Sequence, residues 1–370
     1  MGLGCVYIMK TVKILTSQAQ PSMVVANDIF TRDDHLIIAK NTILTSKIIA
    51  RLEFYSIYDF SVVSDVEVIP TKSKDLFPEA YYSDKVKNSE SFKHFNVVFK
   101  NTVGVFKNTL DSIVTGQSPI DTDSLLSQIN GVLSECSTNI ELFDMIHCMR
   151  QYDDTTYVHS LNVSLISNTL GKWLNFSKED LEVVTLCGLL HDIGKLMIPE
   201  KIIAKPGKLT ATELSTVRTH TLHGYNLLKN KHIDTRIKYT ALLHHERCDG
   251  SGYPYNFNSE QIEPFAKLVA IADVYEAMTC SRVYRDPLCP FEVVNLFESE
   301  GLSKYDPLYI MTFLEGIIQT YLHNHVRLSN NQVGEIVLIN KLSLSKPVVK
   351  VGEQFIDLSK QHDLHIVAII

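Results

Sequence analysis

The sequence predicts a mainly α fold, in which an all-helical core carries a small α+β module on its N-terminal side and a short β-rich appendage on its C-terminal side. Three observations lead there. Across residues 157–323 apolar side chains recur at helical spacing, as Val158, Leu161, Leu165, Leu170 and Leu174 do, so that one helix face is apolar. Helix-start chemistry repeats through the same stretch, with hydroxyl residues followed three positions later by an acid and prolines heading apolar segments. On both sides of it the pattern shifts to short strand-like runs broken by Asn, Asp and Ser.

From the N-terminal end, residues 1–75 read as the α+β module. Strand-like runs at 23–26, 36–39 and 58–63 alternate with the turn signals Asn27-Asp28 and Asp33-Asp34, and one helix is expected at 46–54. No convergent set of reactive side chains lies here, so a regulatory or packing role is expected. Residues 76–145 are read as a connector and helices. Pro70 and Pro78 mark a polar, Lys-rich stretch over 70–91, and helices are expected over 91–110 and 124–150, with packing faces through which a homodimer could form. Residues 146–325 are the helical core. Ser177 with Asp180 and Thr210 with Glu213 are N-cap pairs, and Pro264, Pro290 and Pro307 open helices over 264–278, 290–297 and 307–322, since a missing N–H costs little in a first turn. In residues 326–370, strands are expected at 333–339, 348–351 and 365–370, with a turn at Ser329-Asn330-Asn331.

Composition narrows the function classes. A 45% hydrophobic and 21% charged chain of 370 residues is globular, neither disordered nor collagen-like. Its formal charge of -7 supplies no basic field for a long nucleic acid, so an anionic ligand would need bound cations and a few placed Lys or Arg residues. The seven cysteines are scattered and never spaced CxxC, which reads as reduced thiols and a cytoplasmic location. No apolar run approaches the ~20 residues needed to span a bilayer, so no membrane partner is expected. Residues 1–8 are apolar but lack a basic n-region and a long h-region, so no signal peptide is expected, and Met9-Lys10 could be the natural start.

Histidine placement carries the chemistry. Seven of the fourteen histidines (His159, His191, His220, His223, His232, His244 and His245) fall between residues 159 and 245. His191-Asp192 closes the apolar run Cys187-Gly188-Leu189-Leu190, His244-His245 follows another over 239–243, and Asp273 sits in the apolar segment 268–273. A lone histidine on an apolar face is more often a satisfied core residue than a ligand, and an His-Asp pair alone occurs by chance. Several imidazoles and carboxylates together in apolar surroundings would be heavily desolvated unless metal-bound. Imidazole and carboxylate donors without thiolate suit Fe, Mn, Zn or Ni better than Mg or Ca. Two such ions, about 3.5–4 Å apart, would polarise a phosphodiester, activate water near neutral pH and stabilise the leaving oxygen.

His191-Asp192-Ile193-Gly194-Lys195, followed by His244-His245-Glu246-Arg247-Cys248-Asp249-Gly250-Ser251-Gly252-Tyr253-Pro254, resembles the HD-GYP family, which hydrolyses cyclic di-GMP. The second motif, HHExxDGxGYP, is complete, and the resemblance covers about residues 150–325. It implies an all-helical HD-type metal-hydrolase core holding two divalent transition-metal ions, Fe or Mn first, with Zn or Ni as alternatives. The family pattern places one metal on His159, His191, Asp192 and Asp273, and the second on His220, His244 and His245 with Asp192 bridging. Asp192 and Lys195 would be the catalytic residues, Lys195 approaching the substrate phosphate, the alternative being a solvated surface lysine. Arg282 and Arg285 match basic family positions that contact phosphate or guanine, the alternative being a plain surface pair. Gly252 and Tyr253 would also meet the substrate, Gly250 and Gly252 would allow positive φ, and the GYP loop is a candidate protein-contact surface. Asp249 could orient a ligand imidazole or simply make a turn, and His223 is expected to be structural or to stand behind the ligands. Some members place a Glu four residues before the first ligand histidine to bind a third metal. Thr155 stands there in this chain, so two metals are expected. The products implied are pGpG and GMP. The alternatives are another cyclic dinucleotide such as 3′,3′-cGAMP as substrate, or a catalytically weak sensor.

Overall fold

The computed structural model describes residues 11–16, 19–30, 36–54, 57, 59–63, 86–149, 156–203, 205, 210–279, 288–361 and 363–370. The chain is mainly helical, with strands toward both ends. The N-terminal unit pairs β1 (Thr11–Leu15) with β4 (Asp59–Val63) antiparallel, and β2 (Ile29–Phe30) with β3 (Leu36–Ile38), around helix α1 (Ser46–Phe54). Within the run at 23–26, Val24 and Val25 make only isolated bridges, to Ile43 and Val62. The unit has its own core of Ile14, Val25, Ile38, Leu44, Ile49, Leu52, Phe60 and Val62, while Ala50 of α1 faces the main core.

Next come α2 (Glu90–Val114), α3 (Thr122–Ser134) and α4 (Asn139–Met149). The first of these starts at Glu90, where the Ser89 hydroxyl caps it by accepting from the Phe92 N–H at 3.1 Å, and runs past the expected end at 110 to Val114. The continuous helix expected over 124–150 is broken. Thr138 Oγ1 accepts from the Glu141 N–H and the Glu141 carboxylate accepts from the Ser137 N–H, so a hydroxyl and an acid start a new helix there.

The main bundle comprises α5 (Thr156–Trp173), α6 (Lys178–Leu190), α9 (His220–Leu228), α10 (Thr235–Leu243), α11 (Pro264–Thr279), α12 (Pro290–Leu296) and α13 (Pro307–Thr320), with short helices α7 (Glu200–Ile203) and α8 (Ala211–Arg218) between α6 and α9. Both expected N-caps form, with a full capping box at Thr210 and Glu213. Past Leu296 the chain makes a π-helical turn over Phe297–Gly301 instead of ending cleanly. Helices α5 and α6 lie unusually close because Gly188 has no side chain: a Cβ there would stand 2.8 Å from Ser164 Cα. That approach brings the end of α6 beside His159.

The C-terminal strands β5 (His325–Leu328), β6 (Val333–Leu338), β7 (Val348–Val351), β8 (Gln354–Asp357) and β9 (Ile366–Ile369) make one antiparallel sheet in the order β8-β7-β6-β5-β9. Two of them, β5 and β8, have no counterpart among the strands expected from sequence. Val326, Leu328, Ile336, Val349 and Ile366 are buried in the same core as the helices, so the sheet packs as part of the bundle's interior. Among the described residues no helix is long and apolar enough to cross a membrane.

Candidate metal centre

The termini and inner faces of five helices meet at one buried spot. His159 comes from the first turn of α5, His191 is the C-cap of α6, and Asp192 opens the 3-10 turn Ile193–Met197. His220 starts α9, His244 caps the end of α10 with His245 next, and Asp273 projects from α11. Placement at helix ends has a physical reason, because an end leaves the side chain in a fixed direction with backbone groups nearby to orient it.

Asp192, 1% exposed, is the centre. Its Oδ1 lies 3.3 Å from His220 Nε2 and 3.5 Å from His244 Nε2, and its Oδ2 lies 3.4 Å from His159 Nε2 and 3.3 Å from His191 Nε2. The Lys195 ammonium also donates to Oδ2. Burial by itself would raise the Asp192 pKa, but Lys195 and then His191 outweigh it and hold the carboxyl well below its usual range. Asp273 contacts His159 Nε2 at 3.1 Å through one oxygen and stands 3.9 Å from His245 Nδ1 through the other.

The far side of each ring fixes its orientation. Nδ1 of His191, His220 and His244 is bonded to the carbonyl oxygens of Gly188 (2.7 Å), Val217 (2.7 Å) and Thr240 (3.0 Å), which directs each Nε2 inward. Burial lowers the His244 pKa to about 4, and burial, followed by His244 and His220, pushes His245 well below its ordinary value. Both rings are therefore neutral near pH 7, the form that donates an electron pair.

Two groups of ligand-type atoms result, each with all its atoms within 4.8 Å of one another: Asp192, His220, His244 and His245, and His159, His191 and Asp192. His191 Nε2 and Asp192 Oδ1 are buried and make no hydrogen bond. Buried polar atoms left this way are costly unless something else satisfies them, and a divalent cation at this donor set does so. The residues fit metal ions.

Two glycines permit the approach of the loops. Gly194 sits on the backbone of His220 and Gly224, and Gly252 on the backbone of His245, Glu246 and Arg247. Gly250 has φ +76°, whereas Gly252, for which positive φ was also expected, serves instead by close approach to the histidine pair. Tyr253 stacks on His245 with ring centroids 4.6 Å apart, and the Arg218 guanidinium lies 5.1 Å from the Tyr253 ring centre. Asp249 makes a turn, its Oδ1 accepting from the Ser251 N–H (2.9 Å) and hydroxyl (2.6 Å). His223 belongs to neither ligand group. Arg282, Arg285 and Thr155 lie outside the described residues.

Sequence reasoning gave no role to Glu246, Glu276 or Asn162. The Glu246 carboxylate accepts from the N–H groups of Tyr255 (2.7 Å) and Phe257 (3.0 Å), pinning the loop after the histidine pair. Glu276 bonds His159 and Asn162. A signal for Glu276 existed, since it is a second carboxylate one turn beyond Asp273 on an otherwise apolar helix.

A helical bundle with buried histidines and aspartates gathered at its helix ends offers a donor set that could hold metal ions. Residues 143–308 match the family model described as HD domain, and the two motifs within that stretch resemble those of the HD-GYP family. A cyclic di-GMP phosphodiesterase of Pseudomonas aeruginosa is 33% identical over 204 residues, 55% of this chain and 49% of that protein. A probable cyclic di-GMP phosphodiesterase of Vibrio cholerae is 41% identical over 133 residues, 34% of this chain and 30% of that protein. A 3′3′-cGAMP-specific phosphodiesterase of Vibrio cholerae is 37% identical over 145 residues, 39% of this chain and 34% of that protein. The chain spans half or less of the length of these relatives.

Proposed function

We propose that this chain is a metal-dependent phosphodiesterase that hydrolyses cyclic di-GMP to pGpG and GMP at the cluster around Asp192. One observation carries the reading: a single buried carboxylate belongs to both groups of ligand-type side chains, as a pair of ions sharing a ligand requires. The names of the relatives support the substrate.

His159, His191, Asp192 and Asp273 would hold one ion, and His220, His244 and His245, with Asp192 shared, would hold the second. Fe or Mn is the first expectation and Zn or Ni the alternative. When bound, the ions supply Lewis acidity toward the phosphate and make water a nucleophile near neutral pH. The protein's own groups do the rest. The Lys195 ammonium, held at Asp192, turns to the phosphate oxygens as substrate arrives. Gly252 and Tyr253 bring the GYP loop over the ligand, Arg282 and Arg285 contact its phosphates or bases, and burial keeps bulk water out. Residues 146–325 are the catalytic domain in this reading. Residues 1–75 regulate or pack, 76–145 offer a homodimer surface, 326–370 brace the core, and the GYP loop meets a protein partner in the cytoplasm.

A second substrate is argued by one relative: the 37% identical phosphodiesterase is named for 3′,3′-cGAMP. Protein prepared anaerobically and loaded with Fe(II) or Mn(II) would be given cyclic di-GMP and 3′,3′-cGAMP in parallel, with products resolved chromatographically. Linear dinucleotide and mononucleotide from cyclic di-GMP are expected, lost in His191→Ala and Asp192→Asn. Preferred turnover of 3′,3′-cGAMP would reassign the substrate, and undiminished turnover in either variant would reject the site. Tight binding of the cyclic dinucleotide without turnover would make the chain a sensor.

A further inference from the structure

The inward-facing imidazoles are not oriented alike. His191, His220 and His244 each give Nδ1 to a neutral backbone carbonyl. His159 gives its Nδ1 to a carboxylate, Glu276 Oε2, at 2.7 Å. Glu276 is 2% exposed and one turn from Asp273 on α11. Its other oxygen accepts from Asn162 Nδ2 at 3.0 Å, and Asn162, itself buried, lies one turn beyond His159 on α5. One carboxylate thus clips two successive turns of α5 to the helix that carries Asp273.

A carboxylate behind an imidazole does more than aim it. It fixes the proton on Nδ1 and pushes electron density to Nε2, making the ring a stronger donor than one backed by a carbonyl. Formal charge adds to the difference. Asp192, Asp273 and Glu276 surround His159, with contacts of 3.4, 3.1 and 2.7 Å, whereas His220 and His244 face Asp192 at 3.3 and 3.5 Å and His245 meets Asp273 at 3.9 Å.

We infer that Glu276 is a positioning residue that makes the metal position at His159, His191 and Asp192 the tighter of the two, so that ions load in a fixed order with the His220, His244 and His245 position filled second. This rests on the two-ion reading given above.

Mn(II) binding to the metal-free full chain tests it, with free Mn(II) followed by electron paramagnetic resonance and competition against a chelator of known affinity. The wild-type chain should bind two ions in steps at least about tenfold apart. Glu276→Gln should weaken the first step alone by about 10- to 100-fold. His220→Ala should remove the second step and leave the first in place. Should Glu276→Gln fail to fold, judged by its circular dichroism melt, Asn162→Ala loosens the same clip from its other end and is expected to weaken the first step about two- to fivefold. Two equal steps in the wild-type chain would overturn the inference, as would a folded Glu276→Gln protein that binds both ions unchanged or loses both equally. A wild-type chain that takes up no Mn(II) would sink the two-ion reading as well, whereas hydrolysis with two equal steps would sink this inference only.

Discussion

Gly194 lies so close to His220 that a Cβ on the glycine would overlap the histidine's carbonyl oxygen. The contact joins the turn after Asp192 to the start of α9, so the spacing of the two ligand groups is set partly by a missing side chain. Gly194→Ala must push α9 away. The expected cost is about 1–3 kcal/mol, the usual penalty for overpacking, read from urea melts. The shift should also weaken the His220 metal position more than the His159 position. An alanine variant with unchanged stability and metal binding would show that the turn gives way freely.

Removing the shared carboxylate should differ from removing one imidazole. Among the described residues Asp192 alone is common to both ligand-type groups, so in Asp192→Asn metal analysis should find both ions lost or greatly weakened. His220→Ala should leave one ion bound. Hydrolysis should fall about a thousandfold or more in each, since several kcal/mol of transition-state stabilisation by metal is removed. One ion retained in Asp192→Asn at full affinity would contradict a shared ligand.

Much of this site could be read before any coordinates, and the reason is chemical. His191-Asp192 and His244-His245 stand out because ligand-type polar side chains end apolar helices, and the helix starts at Ser177, Thr210, Pro264 and Pro307 are local signals. What stayed hidden depends on contacts distant in sequence. Glu276 reaches His159 across 117 residues, and neither the closeness of Gly194 to His220 nor that of Gly252 to His245 has a period. The break at Ser137 and Thr138 was missed because apolar spacing outweighed a local cap, and β5 (HVRL) and β8 (QFID) carry polar residues that dilute the strand signal, whereas the equally short β7 (VVKV) and β9 (IVAI) are rich in Val and Ile.

The N-terminal unit is tied to the histidine pair through a series of contacts. Arg51 Nε on α1 pairs with Glu300 Oε1 at 2.6 Å in the π-helical turn. The next carbonyl, Gly301, accepts from the N–H groups of Lys304 (2.9 Å) and Tyr305 (3.2 Å), and the Lys304 carbonyl accepts from the Cys248 N–H at 2.8 Å. Arg247, whose guanidinium lies 5.2 Å from the Tyr305 ring centre, donates to the His244 carbonyl at 3.1 Å. A double-mutant cycle of Arg51→Ala and Glu300→Gln should give a coupling of about 0.5–2 kcal/mol in stability, modest because Arg51 is partly exposed. Strictly additive losses would mean that the pair contributes nothing.

Lys304 supplies a pH test of stability. It is 8% exposed, and burial, with Arg247 adding to it, lowers its pKa from 10.5 to about 8. Between those values the unfolded chain binds more protons than the folded one, so stability rises as pH climbs from about 8 toward 10.5. Below pH 8 the folded protein carries a buried charge. Lys304→Met removes that burden and should stabilise the protein at pH 7 by about 1–3 kcal/mol. The advantage should shrink steadily between pH 8 and 10.5, as measured by chemical denaturation at each pH. If the gap between the two proteins stays constant across that range, Lys304 does not titrate in the fold as its surroundings require.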